Sequence, residues 1–94
     1  ASLPMEVAEC CLEALKLTKT AIDKGNPNAL SDGGVAALMA FAGLQGAIFN
    51  VQINLGSIKD QQFVQIMQEK KQNVLRAGKA LRDEILAIVE AKLD

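Results

Sequence analysis

The side chains that could take part in chemistry are few and widely spaced in this 94-residue chain. It contains no histidine, and its two cysteines, Cys10 and Cys11, are adjacent. Neighbouring residues on a helix point about 100° apart, so this pair does not indicate a disulfide framework. Without histidine or CxxC spacing, it does not indicate a zinc site or a Cys–His nucleophile either. The carboxylates are scattered, and no GxSxG, HExxH or phosphate-loop pattern occurs. The residues alone therefore predict no catalytic group and no metal ligand.

Asparagines and one aspartate are better candidates for binding a ligand. Asn50 and Asn54 lie four residues apart, which stacks them on one face of a helix. If they are buried, backbone, a second subunit or a ligand must pair with their amides, because an unpaired amide costs about 1–3 kcal/mol. Asp32 falls at the start of a predicted helix, where capping and dipole stabilisation is the simpler role and ligand binding the alternative. Gly33 and Gly34 could place an anion at that helix start, but no strand precedes them, so this signal is weak.

Apolar periodicity predicts an all-α fold of three long helices that position these residues. Their predicted ranges are residues 2–24, about 32–55, and 57 to about 92. Gly25 and Pro27 stop the first helix, because Gly accepts the left-handed conformation and Pro cannot continue a helix. Ser31 is predicted to cap the second helix, and Ser57 with Asp60 has the form of a capping box for the third.

The second helix is apolar on three sides, and it has no charged residue from Gly33 through Ile58. Its side chains form three strips. A small-residue seam contains Ala36, Ala40, Gly43, Ala47, Asn50 and Asn54; a bulky ridge contains Ala37, Phe41, Leu44, Ile48, Val51 and Leu55; a third strip contains Val35, Leu38, Ala42, Phe49 and Ile53. Two neighbouring helices cannot cover all three strips. We therefore expect the chain to associate with itself or with a segment absent from this sequence.

Composition narrows the class of protein and its setting. The net charge is −1 and no basic cluster is interleaved with aromatic residues, which argues against nucleic-acid binding. The most apolar stretch, residues 35–49, is shorter than the roughly 20 residues that a bilayer requires, so we expect no membrane span. The two unpaired cysteines and the lack of a charged-then-apolar leader favour a reducing cytoplasm.

Several short motifs carry a family resemblance. They are Gly25-Asn26-Pro27-Asn28, Ser31-Asp32, Val35-Ala36-Ala37-Leu38, Gly46-Ala47, Asn50-Val51, Ile53-Asn54-Leu55, Ser57-Ile58-Lys59-Asp60 and, near the start, Pro4-Met5-Glu6-Val7-Ala8-Glu9. In this order they resemble the C-terminal half of the formiminotransferase-cyclodeaminase / methenyltetrahydrofolate cyclohydrolase family. The likeness extends over essentially all 94 residues and is strongest in the middle.

The resemblance implies an all-helical folate enzyme of roughly twice this length that forms dimers. Residues 1–94 would be the C-terminal half of one helical domain, completed by a missing N-terminal half, by dimerisation or by both. Such enzymes release ammonia from 5-formiminotetrahydrofolate or hydrolyse 5,10-methenyltetrahydrofolate, so a tetrahydrofolate derivative is the expected substrate and no prosthetic group is expected. The catalytic carboxylate of the family lies in the other half. We therefore expect this chain to be inactive alone.

Within that interpretation, the polar residues of the chain become candidate folate contacts. The candidate substrate-binding residues are Asn26, Asn28, Asp32, Asn50 and Asn54. A pterin is a planar ring of hydrogen-bond donors and acceptors, which amides can recognise. The alternative is that these amides only specify packing. The alternative for the chain as a whole is a non-catalytic helical dimerisation or assembly module, and the sequence upstream of Ala1 would distinguish the two.

Overall fold

Three α-helices make up the fold in a computed structural model of the chain that describes residues 2–25 and 29–93. The helices are α1 (Ser2–Asp23), α2 (Ala29–Leu55) and α3 (Gln61–Leu93). Each helix packs on the other two, and the bundle is elongated, measuring 50 × 18 × 16 Å. The predicted all-α class and the three long helices are confirmed.

The bulky ridge of α2 is the centre of the core, as predicted. All six of its residues are buried: Ala37, Phe41, Leu44, Ile48, Val51 and Leu55. They form one apolar cluster with Leu15 and Ile22 of α1 and with Ile85 and Val89 of α3. The apolar periodicity of α1 predicts a core-facing stripe of Val7, Cys11, Leu15, Thr18 and Ile22. Leu15 and Ile22 are buried as predicted, but Val7 is 45% exposed, so the prediction is wrong at that position. At the start of α1 a neighbouring stripe faces the core instead, and its residues Met5 and Ala8 are only 2% and 0% exposed.

The end of α1 and the start of α2 differ from the predicted positions by one and three residues. α1 stops at Asp23, and Gly25 follows with a φ of 76°, the left-handed conformation expected of a C′ glycine. α2 starts at Ala29, three residues earlier than predicted, so Ser31 lies inside the helix and is not its cap. Asp32 remains in the first turn.

The third helix is capped by Asp60 alone, which corrects the predicted capping box. Oδ1 of Asp60 accepts hydrogen bonds from the backbone N–H groups of Gln62, at 3.1 Å, and Phe63, at 3.2 Å. Ser57 instead closes the preceding helix, because its Oγ donates to the carbonyl of Asn54 at 3.0 Å. The helix therefore starts at Gln61 and not at residue 57.

Replacing Asp60 with alanine should weaken the chain measurably. Asp60→Ala leaves two N–H groups at the start of α3 without their acceptor, and loss of such a cap costs about 0.5–2 kcal/mol. Urea unfolding followed by far-ultraviolet circular dichroism measures this loss. Asp60→Asn is the control, since an asparagine side chain also caps helices well. An equal loss in both variants would contradict a capping role.

The length and apolarity of α2 also meet the criterion for crossing a membrane. Residues Leu30–Leu55 are the one stretch in the described part of the chain to do so, and 39% of its most apolar window is buried. This stretch is longer than the residues 35–49 considered above. A core helix meets the same criterion, and the buried ridge of α2 fits that explanation. The expectation of no membrane span stays a prediction.

Candidate functional site

An apolar groove runs between the start of α1 and the second half of α2. Its volume is about 350 Å³, and its walls are Leu3, Pro4, Val7, Gly43, Gly46, Ala47 and Asn50. The side-chain amide of Asn50 is the one polar side chain among these residues. The groove can therefore hold a small, largely apolar group and form hydrogen bonds to it through the Asn50 amide.

Small residues of α2 determine the shape of this groove. At Gly43 an added Cβ would lie 3.0 Å from Sγ of Cys11, so α1 approaches α2 closely there. The small side chains of the seam predict that another helix can approach α2 closely there, and this contact fits that prediction. At Gly46, one turn further along, an added Cβ would meet nothing within 4 Å. The helices therefore touch at Gly43 and leave open space beside Gly46.

The two predicted amides have different surroundings. Asn50 is exposed at the groove, whereas Asn54 is half-buried and is not among the groove's lining residues. Among the described residues, no buried side-chain nitrogen or oxygen lacks a hydrogen-bond partner. The argument that buried amides here require a partner thus does not apply to Asn50, which can exchange water for a ligand at little cost.

The other three candidates lie away from this groove or outside the described residues. Asp32 is exposed in the first turn of α2, eighteen residues before Asn50. Eighteen residues are five helical turns, so the two side chains share a face of α2 but are separated by about 27 Å along its axis. Asn26 and Asn28 lie outside the described residues. The structure thus does not bring Asp32 and Asn50 together in one pocket of a single chain.

Several charged groups of α1 form surface ion pairs away from the residues that line the groove. Glu9 lies 3.4 Å from Lys70, and Lys19 pairs with Asp23 at 2.8 Å and Glu84 at 3.7 Å. The hydrogen bond to Asp23 is the main cause of a raised pKa at Lys19. No group of three or more possible metal-binding side chains occurs within residues 2–25 and 29–93. That this chain supplies no catalytic residue stays a prediction.

Sequence reasoning missed most of the groove. Leu3, Pro4 and Gly46 line it but were not among the candidate residues, and Val7 was assigned to the core. The sequence does contain a signal for two of these residues, at the start of α1. There Leu3 and Val7, which are four residues apart, form an apolar pair beside the buried Met5–Ala8 stripe. A second apolar stripe at one end of a helix indicates a second surface to cover.

The fold is a three-helix bundle with an apolar groove between α1 and α2. Comparisons with known proteins give its family. The sequence model of the formiminotransferase-cyclodeaminase family matches residues 1–73. A methenyltetrahydrofolate cyclohydrolase of Methylorubrum extorquens is 33% identical over 92 residues, which are 98% of this chain and 44% of that protein. The chain belongs to the formiminotransferase-cyclodeaminase family. It spans less than half the length of this relative.

Proposed function

We propose that the chain is the C-terminal half of a folate one-carbon enzyme, either a methenyltetrahydrofolate cyclohydrolase or a formiminotetrahydrofolate cyclodeaminase. The observation that carries this proposal is the similarity to the Methylorubrum cyclohydrolase over almost the whole chain, together with the family match. Both reactions act on the one-carbon bridge of a tetrahydrofolate, so the two activities share a substrate class. The intact enzyme is expected to use no prosthetic group and to work in the cytoplasm.

The groove beside Asn50 is the proposed place for part of this substrate. Its apolar walls suit the faces of a pterin ring, and the Asn50 amide offers both a donor and an acceptor to the ring edge. Its volume of about 350 Å³ lies within the usual range for small-molecule sites. In this proposal the chain binds and orients the folate. The missing N-terminal half supplies the group that transfers protons.

The alternative is a helical assembly module without chemistry. The observation in its favour is that Asn50 is the one polar side chain among the groove's lining residues, and no carboxylate lines the groove. An assembly module would need only the apolar surfaces. The folate enzyme and the assembly module differ in one respect: only the enzyme predicts that a natural polypeptide containing this chain turns over a folate.

Turnover of methenyltetrahydrofolate, followed by its ultraviolet absorbance, tests the proposal. Two samples are compared: the 94-residue chain, and the full-length product, meaning the longest natural polypeptide that contains it. We expect turnover by the full-length product and none by the chain alone, because the proton-transferring group lies in the other half. Ammonia release from formiminotetrahydrofolate assigns the deaminase reaction.

The outcomes of this assay separate the two candidate functions. If the full-length product turns over neither compound, the enzyme proposal fails and the assembly module stands. Turnover by the chain alone would show that its own residues carry out the chemistry, which contradicts the division of labour proposed here. A heat-denatured sample of the full-length product controls for the spontaneous hydrolysis of the methenyl compound.

A further inference from the structure

The middle of α3 carries a concentrated positive charge. Residues 70–82 contain five of the chain's ten basic side chains and no carboxylate. Neighbouring carboxylates neutralise two of these five cations: Lys70 lies 3.4 Å from Glu9, and Arg82 lies 2.8 Å from Asp83. Three cations of this stretch are left, in a chain whose net charge is −1.

The three remaining cations are Lys71, Arg76 and Lys79, and together they are called the basic strip. Within residues 2–25 and 29–93, no carboxylate forms an ion pair with any of them. Like charges that lie close together repel each other, so the basic strip carries an unfavourable term in the chain as it stands. An anion that contacts all three cations would remove this term.

The helix holds the basic strip on one side of α3. Lys71 and Lys79 are eight residues apart, or about 12 Å along the helix axis, and the three cations fall within an arc of about 140°. Together with Gln72 and Leu75 they line a groove of about 420 Å³. A ligand that reaches all three cations must therefore be extended, with its negative charges distributed over about 12 Å.

One cation of the strip is held in place by a neutral group. Nζ of Lys71 donates a hydrogen bond to Oε1 of Gln52 on α2. The amide positions this ammonium group without neutralising it, and the ammonium keeps two further N–H donors for a ligand. Arg76 adds a planar guanidinium group, which can bind a carboxylate or a phosphate through two parallel hydrogen bonds. The strip therefore offers directed donors as well as charge.

We propose that the basic strip binds a small, extended anion that carries at least three negative charges on phosphate or carboxylate groups. No aromatic side chain is among the residues that line this groove, so it lacks the stacking surface of a single-stranded nucleic-acid site. The strip shares no residue with the apolar groove beside Asn50. The inference is therefore independent of the proposed folate activity.

Isothermal titration calorimetry with two anions tests the site. The probes are inorganic tripolyphosphate and a peptide of four aspartates, each titrated into the 94-residue chain and into the full-length product. At an ionic strength of about 0.01 M, where charges act over about 30 Å, we expect one ligand per chain and a dissociation constant of about 1 mM or lower. At about 0.1 M the binding should weaken severalfold. The tighter of the two probes identifies phosphate or carboxylate as the preferred group, and binding of neither overturns the proposal.

Charge removal within and outside the strip shows whether the position of the cations matters. Arg76→Gln or Lys79→Gln alone should weaken binding about two- to fivefold, and the two substitutions together about tenfold. Lys92→Gln removes the same charge from an exposed position of α3, about 20 Å further along the helix axis, and should change the dissociation constant less than about twofold. Far-ultraviolet circular dichroism checks that all variants remain helical. An equal loss in Lys92→Gln would indicate attraction by overall charge and overturn the proposal.

A neutral substitution on α2 tests the positioning of Lys71. Gln52→Ala leaves every charge of the strip in place but removes the acceptor that holds the ammonium group, so binding should weaken about two- to threefold. Unchanged affinity in Gln52→Ala and in Lys71→Gln would exclude Lys71 from the site and contradict a site of three cations. Binding by the 94-residue chain but not by the full-length product would show that the strip is covered in the natural protein, which also overturns the proposal.

Discussion

Gly78→Leu is expected to lower the free energy of unfolding by more than about 3 kcal/mol. Gly78 is buried in the middle of α3, where a Cβ alone would lie 2.6 Å from Cδ1 of Leu44 and 3.7 Å from Cδ1 of Leu15. Leu15 and Leu44 are themselves completely buried, so neither has free space to move into. A leucine at this position must push the helices apart. The three helices meet at Gly78 because it has no side chain.

The size of the effect follows from two opposing terms. Replacing glycine in a helix gains roughly 0.8 kcal/mol of helix propensity. Overpacking a filled core costs about 1–3 kcal/mol even for smaller additions, so four added carbons should cost several kcal/mol. A net loss above about 3 kcal/mol is a large fraction of the total stability of a small domain. Urea unfolding followed by circular dichroism measures it.

Two control experiments test whether the clash with Leu44 causes the loss of stability. Ala80→Leu adds a similar side chain to an exposed position of the same helix and should change the unfolding free energy by less than about 0.5 kcal/mol. In a Leu44→Ala background, Gly78→Ala should become less harmful than in the unchanged chain, because the truncated residue leaves room for the new methyl group. A Gly78→Leu chain as stable as the original would contradict this account of the core.

The sequence predicted the helices and the core well because both depend on local, periodic signals. The ridge from Ala37 to Leu55 has the 3.6-residue repeat of a helix face, and all of it is buried. The helix starts were predicted less well, since several polar residues compete to cap them. Asp60 caps α3 in place of Ser57, because its carboxylate can accept two backbone hydrogen bonds at once. A glycine within a helix, such as Gly78, indicates only a weak point until its neighbours are known.

The candidate site was harder to predict because it depends on how two helices cross. Asn50 was found as a polar residue in an apolar helix, and it does line a groove. Leu3 and Val7 become wall residues only because α1 touches α2 at Gly43 and leaves open space beside Gly46. Asp32 and Asn50 lie on one face of α2, which the sequence shows, but about 27 Å apart, too far to line one pocket of a single chain.

Asn50→Ala is expected to weaken binding of methenyltetrahydrofolate to the full-length product by about 10- to 100-fold. The ring edge that the amide would recognise is left without its partner inside an apolar groove, and such a loss costs about 1–3 kcal/mol. The stability of the protein should change by less than about 0.5 kcal/mol, because Asn50 is exposed on the surface of α2. Equilibrium fluorescence titration measures affinity, and urea unfolding measures stability.

Asn54→Ala and Asp32→Asn complete this test of the predicted site. Asn54 is half-buried and is absent from the groove walls, so its substitution should reduce stability by about 1 kcal/mol with a smaller change in affinity. Asp32 lies at the other end of α2, and Asp32→Asn should leave affinity unchanged if the site belongs to one chain. Unchanged affinity in Asn50→Ala would show that the folate does not bind at this amide, and unchanged affinity together with a loss of stability would assign the amide a packing role. A loss of affinity in Asp32→Asn would instead require a site shared between two chains, since only another copy can bring the two ends of α2 together.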